Sequence, residues 1–419
     1  MKKNSLFTVS LLSAFISLSC YAHQDVVLSD KSLSDAQVSI NGDTGKTQVE
    51  VINTNQDNIS HIYYERFDVG DFGLSLKNNA EAKLIINEVL SNKGFSILRG
   101  ELELQGKQAT VVIANPNGIF CNDCSFSGTD DVKLITGSST GKYSKTFTTA
   151  NIISGITFNM QNKLDKNEHM HIHRNYKDIS PGKINIISNK VFLDGGDLNS
   201  EYIRFDIGLS EFTLGAENNY NGIGRLTINK ETGINSRYLI IKANNSGIEN
   251  AGNINTLSLN HESYDLVNLG NIDINTDDNL YRTAYDDYKQ SKIIVLTRYL
   301  GSNKSSFNIK NTYLFMQAKY MYLDKKINID NSYLYANVGG ISIGNVKLSA
   351  ESKFHINSNK SISLRGKIRG YGHVKLQVND DKVDIEGKKL LIGTEKAGLE
   401  VGTKYKLGTL TIIDYSKYK

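Results

Sequence analysis

Residues 309–315 read I-K-N-T-Y-L-F, and residues 329–335 read I-D-N-S-Y-L-Y. The second stretch is the first repeated twenty residues on, with Asn, Tyr and Leu in the same places. A shorter echo lies upstream, where N-A-G-N-I-N at 250–255 returns as N-L-G-N-I-D at 268–273, eighteen residues on. A fixed period of about this length marks a repeat architecture, in which each unit buries its apolar face only against its neighbours. The units are β-branched and Asn-rich, which disfavours helical hairpins. Strands of four or five residues joined by Asn and Gly corners fit one turn of a parallel β-helix, whose coils stack at about 4.8 Å. In such a stack Asn at a corner can bond the Asn of the next coil. Leu257 and Leu259, then Ile272 and Ile274, alternate as the inward row of such a coil requires.

The rest of the chain agrees. Among 419 residues there are 35 Gly, 2 Pro and no Trp, and short alternating runs recur throughout: Q-V-E-V-I-N from Gln48, K-L-I-I-N from Lys83, E-L-E-L from Glu101, T-V-V-I from Thr110. Each is bounded by Asn, Gly or Asp, as strands are. The fold class read here is all-β, a single-stranded parallel β-helix of the pectin-lyase-like kind, with the coil stack expected from Gly182 to about Lys406. Residues 277–306 exceed one coil and carry Tyr281, Tyr285 and Tyr288, so an extra-helical hairpin or loop is expected there.

The N-terminus reads as a secretory signal peptide over 1–22. Lys2 and Lys3 precede the apolar run Leu6–Leu18, and small residues flank a cut after Ala22. A lipid-anchor reading through Cys20 is disfavoured by Ser17. In the exported chain Cys121 and Cys124 remain, and two thiols three residues apart in an oxidising compartment form one local disulfide. No second cysteine pair supports a zinc ribbon. A net charge of +4 spread over the chain gives no reason to expect nucleic acid as a partner.

The cysteines close a window, A-N-P-N-G-I-F-C-N-D-C-S-F at 114–126. Pro116 fixes φ, Asn115 can bond its own backbone two residues on, and Gly118 tolerates positive φ, so Asn115 to Gly118 form a tight turn before Ile119. The window is expected to stiffen two corners at one end of the solenoid.

The window, with Thr110–Ile113 before it, resembles the signature of the secretion domain of two-partner-secretion exoproteins, the group of filamentous haemagglutinins, ShlA-type haemolysins and contact-dependent inhibition proteins. Upstream, I-S-H-I-Y-Y-E-R-F-D-V-G from Ile59 is similar to that family's S-H-x-x-Y-x-x-F segment, placing Ser60, His61, Tyr64 and Phe67 in it. L-I-I-N-E-V-L-S from Leu84 and L-R-G-E-L-E-L-Q-G from Leu98 follow in order. Where the family has a further Asn-Pro-Asn-Leu turn, this chain has Lys77-Asn-Asn-Ala. The resemblance implies a right-handed β-helix with an N-terminal cap, recognised by the periplasmic POTRA domains of an outer-membrane β-barrel transporter (TpsB type). It also implies passage through the periplasm, release or display outside the cell, and adhesion to a host glycan or protein. On it rests a division into signal peptide 1–22, secretion domain 23–245 and β-helical extension 246–419. A truncated haemolysin or contact-dependent inhibition protein is the alternative within the family.

Other chemistry has less support. His169, His171 and His173 share one face of a strand and are weak metal candidates, with no further ligand at a fixed spacing. Asp273, Asp277 and Asp278 form an acidic cluster and Asp286–Asp287 a second, as in β-helical polysaccharide lyases and hydrolases, but neither has a basic partner at a coil offset. No enzyme activity and no cofactor is expected.

Overall fold

The computed structural model describes residues 25–30, 35–150, 154–160, 181–268, 271–275, 291–302, 307–310, 312–378, 381–385, 390–392, 403–407 and 410–414. The signal peptide with Cys20, the three histidines at 169–173, the tyrosines at 281–288 and the aspartates at 277, 278, 286 and 287 lie outside them.

All described regular structure is strand, and most strands join one parallel stack. The two sequence echoes are the register itself. Ile309 pairs with Ile329 and Tyr313 with Tyr333, while Ile254 pairs with Ile272 and Asn253 with Asn271. Inward residues therefore superimpose. One column runs Ile85, Val111, Val132, Ile184, Ile203, Leu239 and Leu259, all at most 4% exposed. Another runs Leu314, Leu334, Phe354 and Val374. These columns belong to one continuous apolar core from Val26 to Leu376. The chain is a parallel β-helix.

Asparagines bond from coil to coil as expected, on the outward side of strands rather than at corners. Asn235 donates to Asn199 and Asn255 to Asn235, each at 2.8 Å, and Asn328 donates to Asn308 at 2.6 Å.

The stack begins about a hundred residues before Gly182. Ile59–Phe67, Leu84–Val89, Thr110–Ala114 and Asp131–Ile135 already pair in parallel, coil upon coil. Their spacing hid them: Ile59 meets Leu84 and Leu84 meets Thr110, so no twenty-residue period exists there. The stack also ends early. After His373–Val378 the strands Asp381–Ile385 and Leu390–Ile392 run antiparallel to the last coils, and Thr403–Leu407 pairs with Leu410–Asp414 as a hairpin. A reversed strand occupies the edge hydrogen bonds that another coil would use, so the solenoid does not end on an open template.

The N-terminus is closed by the same device. Val26–Leu28 lies antiparallel to Ile59–Phe67, and Ala36–Ile40 antiparallel to Thr47–Val51.

The excursion expected over 277–306 is corrected at its far side. Ser291–Ser302 is a coil strand, parallel to Asn253–Asn268 and Thr312–Asp330, as its run K-I-I-V-L-T allows. A clear extra-helical element lies elsewhere. Gly137–Ser139, Thr146–Thr149 and Glu211–Thr213 form an antiparallel sheet. Its Phe147 and Phe212, with Leu209, pack on the outward faces of Ile59, Leu84, Ile86 and Val112, making a second small core outside the coil wall.

Candidate functional site

The motif residues gather at the capped end. In the strand Ile59–Phe67 alternate side chains point into the coil and out of it. Ser60 heads the inward column above Ile85, and Tyr64 and Phe67 are also interior, their ring centroids 4.8 Å apart. The Tyr64 hydroxyl donates to Asn87 Oδ1 at 2.9 Å, and the Asn87 amide donates to the Val112 carbonyl at 3.2 Å. Burial pushes the Tyr64 phenol well above its ordinary pKa, so it stays a donor.

His61 points outward yet is fully buried, because the hairpin joining Gly137–Ser139 to Thr146–Thr149 covers it. The Tyr143 backbone N–H donates to His61 Nδ1 at 2.8 Å. The neutral ring therefore carries its hydrogen on Nε2, which donates to Glu88 Oε2 at 2.8 Å. Glu88 Oε1 accepts the Ser139 N–H at 3.2 Å, and the His61 ring stacks on Tyr63 at 4.3 Å. Lys142, on the same hairpin, pairs with the buried carboxylate of Asp35, which raises the lysine pKa. The hairpin is thus a clasp joining the cap, the first coil and the second.

The turn is pinned as tightly. Asn117 N–H donates to Asn115 Oδ1 at 2.8 Å and Gly118 N–H to the Asn115 carbonyl at 3.1 Å. The buried Asn115 amide donates to the Gly94 carbonyl at 2.9 Å and to Ser96 Oγ at 3.0 Å, and Asn117 donates to the Leu90 carbonyl at 3.3 Å. Gly118 has φ +119°, and a Cβ there would meet the Gly155 carbonyl oxygen at 3.0 Å. Pro116 and Asn117 are half-exposed, and Phe95, 61% exposed, has its Cβ 3.9 Å from where a Cβ on Gly118 would stand. Ile119 is buried and bonded to the next coil through Gly155.

Cys121 and Cys124 are joined, their Cα atoms 5.2 Å apart, with both sulfurs in the core. Asp123 between them has φ +56° and donates its N–H to Asn159. At the earlier corner, where the proline is missing, Asn78 is buried and bonds the Ala82 N–H, the Ala82 carbonyl and the Lys107 carbonyl, each within 2.9 Å. Its amide does there what Asn115 does one corner later.

Sequence reasoning missed Glu88, Tyr143, Lys142 and Asp35. Glu88 sits in a quoted stretch but only pairing across coils gives it a role. No group of three or more His, Cys, Asp or Glu side chains placed to hold a metal occurs among the described residues. No helix among them is long and apolar enough to cross a membrane.

The family described as the TPS secretion domain matches residues 25–287, more than half of the chain. The chain belongs to that family. The chain is 38% identical over 115 residues to the 16S rRNA endonuclease CdiA of Enterobacter cloacae, covering 22% of this chain and 3% of that protein. It is 32% identical over 149 residues to a hemolysin of Proteus mirabilis, covering 30% of this chain and 9% of that one. The matched stretch is thus under a tenth of either relative's length. Among solved structures, the filamentous hemagglutinin secretion domain aligns at 14% identity and a TM-score of 0.30, covering 85% of this chain and 99% of that one. The HMW1 secretion domain from Haemophilus influenzae aligns at 16% and 0.35, covering 83% and 90%.

Proposed function

We propose that this chain is the cargo of an outer-membrane β-barrel transporter, whose periplasmic POTRA domains read residues 23–245. In this reading the capped end of the secretion domain is folded when the POTRA domains read it in the periplasm, the later coils fold outside the cell, and the β-helical extension adheres there to a host glycan or protein. The family match over 25–287 is the observation that carries the export reading.

The geometry divides the motif residues into two roles. Ser60, His61, Tyr64 and Phe67 are buried and build the cap, so a folded domain offers none of them to a partner. The accessible part of the signature is the Pro116–Asn117 tip with Phe95 beside it, held rigid by the Asn115 amide and the Cys121–Cys124 ring. A tip already fixed loses little entropy on docking. A coil stack also suits exit without ATP: at roughly 0.1 kcal/mol per residue, each coil adds about 2 kcal/mol against back-sliding.

The test is secretion of the full chain into the medium with its partner barrel co-produced. Phe95→Ala, at an exposed position, should cut export about tenfold while the purified protein keeps its unfolding midpoint. Equal export with and without the barrel would remove the reading.

A further inference from the structure

The outer wall of the C-terminal coils carries an arrangement that export does not use. Thr312–Asp330, Tyr333–Leu348, Lys353–Leu364 and His373–Val378 lie parallel, so their outward residues stand in columns. One column is Phe315, Tyr335, His355 and Lys375. Beside it Tyr333, Lys353 and His373 align, and on the other side stand only amides, Gln317, Asn337, Asn357 and Gln377. All are partly or largely exposed.

The rings are fixed before anything binds. Phe315 and Tyr335 stack with centroids 5.6 Å apart and planes 22° apart. Tyr333 hydroxyl meets His355 Nδ1 at 2.8 Å, and His355 Nε2 meets His373 Nδ1 at 3.1 Å. The Lys353 ammonium lies 5.9 Å from the Tyr333 ring centroid.

This is an aromatic strip, with the Tyr333 and His373 rings edge-on to His355 and an amide strip along its edge. An aromatic face accepts the C–H face of a sugar, and primary amides both donate to and accept from hydroxyls. The rung spacing of about 4.8 Å is close to the advance of one pyranose ring along an extended chain, so each coil can meet one ring. Two lysines, one of them opposite Asp384, are too few for a polynucleotide track.

We propose that this wall binds an extended chain of pyranose rings running along the solenoid axis, with Phe315, Tyr333 and Tyr335 as stacking platforms and the amide column as hydroxyl partner. The proposal gives a ligand class to the adhesive reading above and rests on it. Titration calorimetry of the purified secreted chain against cellohexaose and hyaluronan hexasaccharide tests it, separating neutral from uronate-bearing rings. At least one hexamer should bind, and Tyr335→Ala should weaken it at least tenfold. Asn337→Ala, which removes only an exposed amide, should weaken it about threefold, and Tyr238→Ala should leave it unchanged. If the uronate chain is the ligand, Lys353→Gln lowers its affinity and added salt does the same. A secreted chain that binds neither hexamer, or binds undiminished in both Tyr335→Ala and Asn337→Ala, overturns the proposal and leaves export standing. A chain that fails to be exported but binds when purified from cells overturns export alone.

Discussion

The two ends of this solenoid solve one packing problem by different means. In the C-terminal coils Leu314, Leu334, Phe354 and Val374 superimpose at near-constant spacing, and each coil is stabilised by neighbours made like itself. In the N-terminal coils the spacing changes at every turn, and specific polar contacts set the register. Asn78 and Asn115 tie corners to neighbouring turns, and His61, Glu88 and Tyr143 tie the wall to its outer sheet. The lesson is that repetition distributes stability, whereas unique buried polar contacts specify one arrangement and make it fragile.

The sharpest way to break the comparison is to remove His61. His61→Ala leaves Glu88 Oε2 buried without its donor and removes a packed ring, which together cost about 3 kcal/mol. The first coils should then become protease-sensitive while the coils around Leu334 stay protected, as hydrogen exchange would show. Uniform loss of protection along the chain would mean that the ends are not energetically distinct.

Acid should expose a weak point on the repetitive side. His261 points inward beside Ile241 of the adjacent coil, and burial pushes its pKa down to about 3. The unfolded chain, with an ordinary imidazole, binds the proton that the folded chain refuses. Stability from this site is therefore complete above about pH 6.5 and falls by up to about 1.4 kcal/mol per pH unit towards pH 3. Urea midpoints of the His261→Leu variant should be flatter across that window than those of the parent.

Opening the Cys121–Cys124 ring has a smaller expected effect. So short a loop contributes about 2 kcal/mol by chain entropy, so Cys121→Ser with Cys124→Ser should lower the midpoint of the first coils modestly. Smallest is Asn235→Ala, which cuts two rungs of the outward asparagine ladder, each worth about 0.5 kcal/mol at this half-buried position. Calorimetry should find it below the disulfide variant. The reverse order would show that ladders, rather than corners, hold the stack.

How much could be read in advance follows the same division. The twenty-residue echo at 309 and 329 and the eighteen-residue echo at 250 and 268 are the actual pairings, since identical coils demand identical spacing. The N-terminal coils gave only short strands and motifs, because their loops vary in length and no period survives. Chain length alone places 291–302 in an excursion, because the segment before it lengthens the interval beyond one coil. The sheet at 137–149 and 211–213 was missed because its third strand comes from more than sixty residues away.

Sequence alone therefore determined the β-helix, the period of its later coils, the Asn115–Gly118 turn and the nearness of the two cysteines. All of these depend on residues close together or repeated at a constant interval. Only the tertiary structure decided that His61 is buried, that Glu88 and Tyr143 are its partners, and that reversed strands close both ends. Those outcomes depend on which distant segment covers which face, and hydrophobic alternation carries no record of that choice.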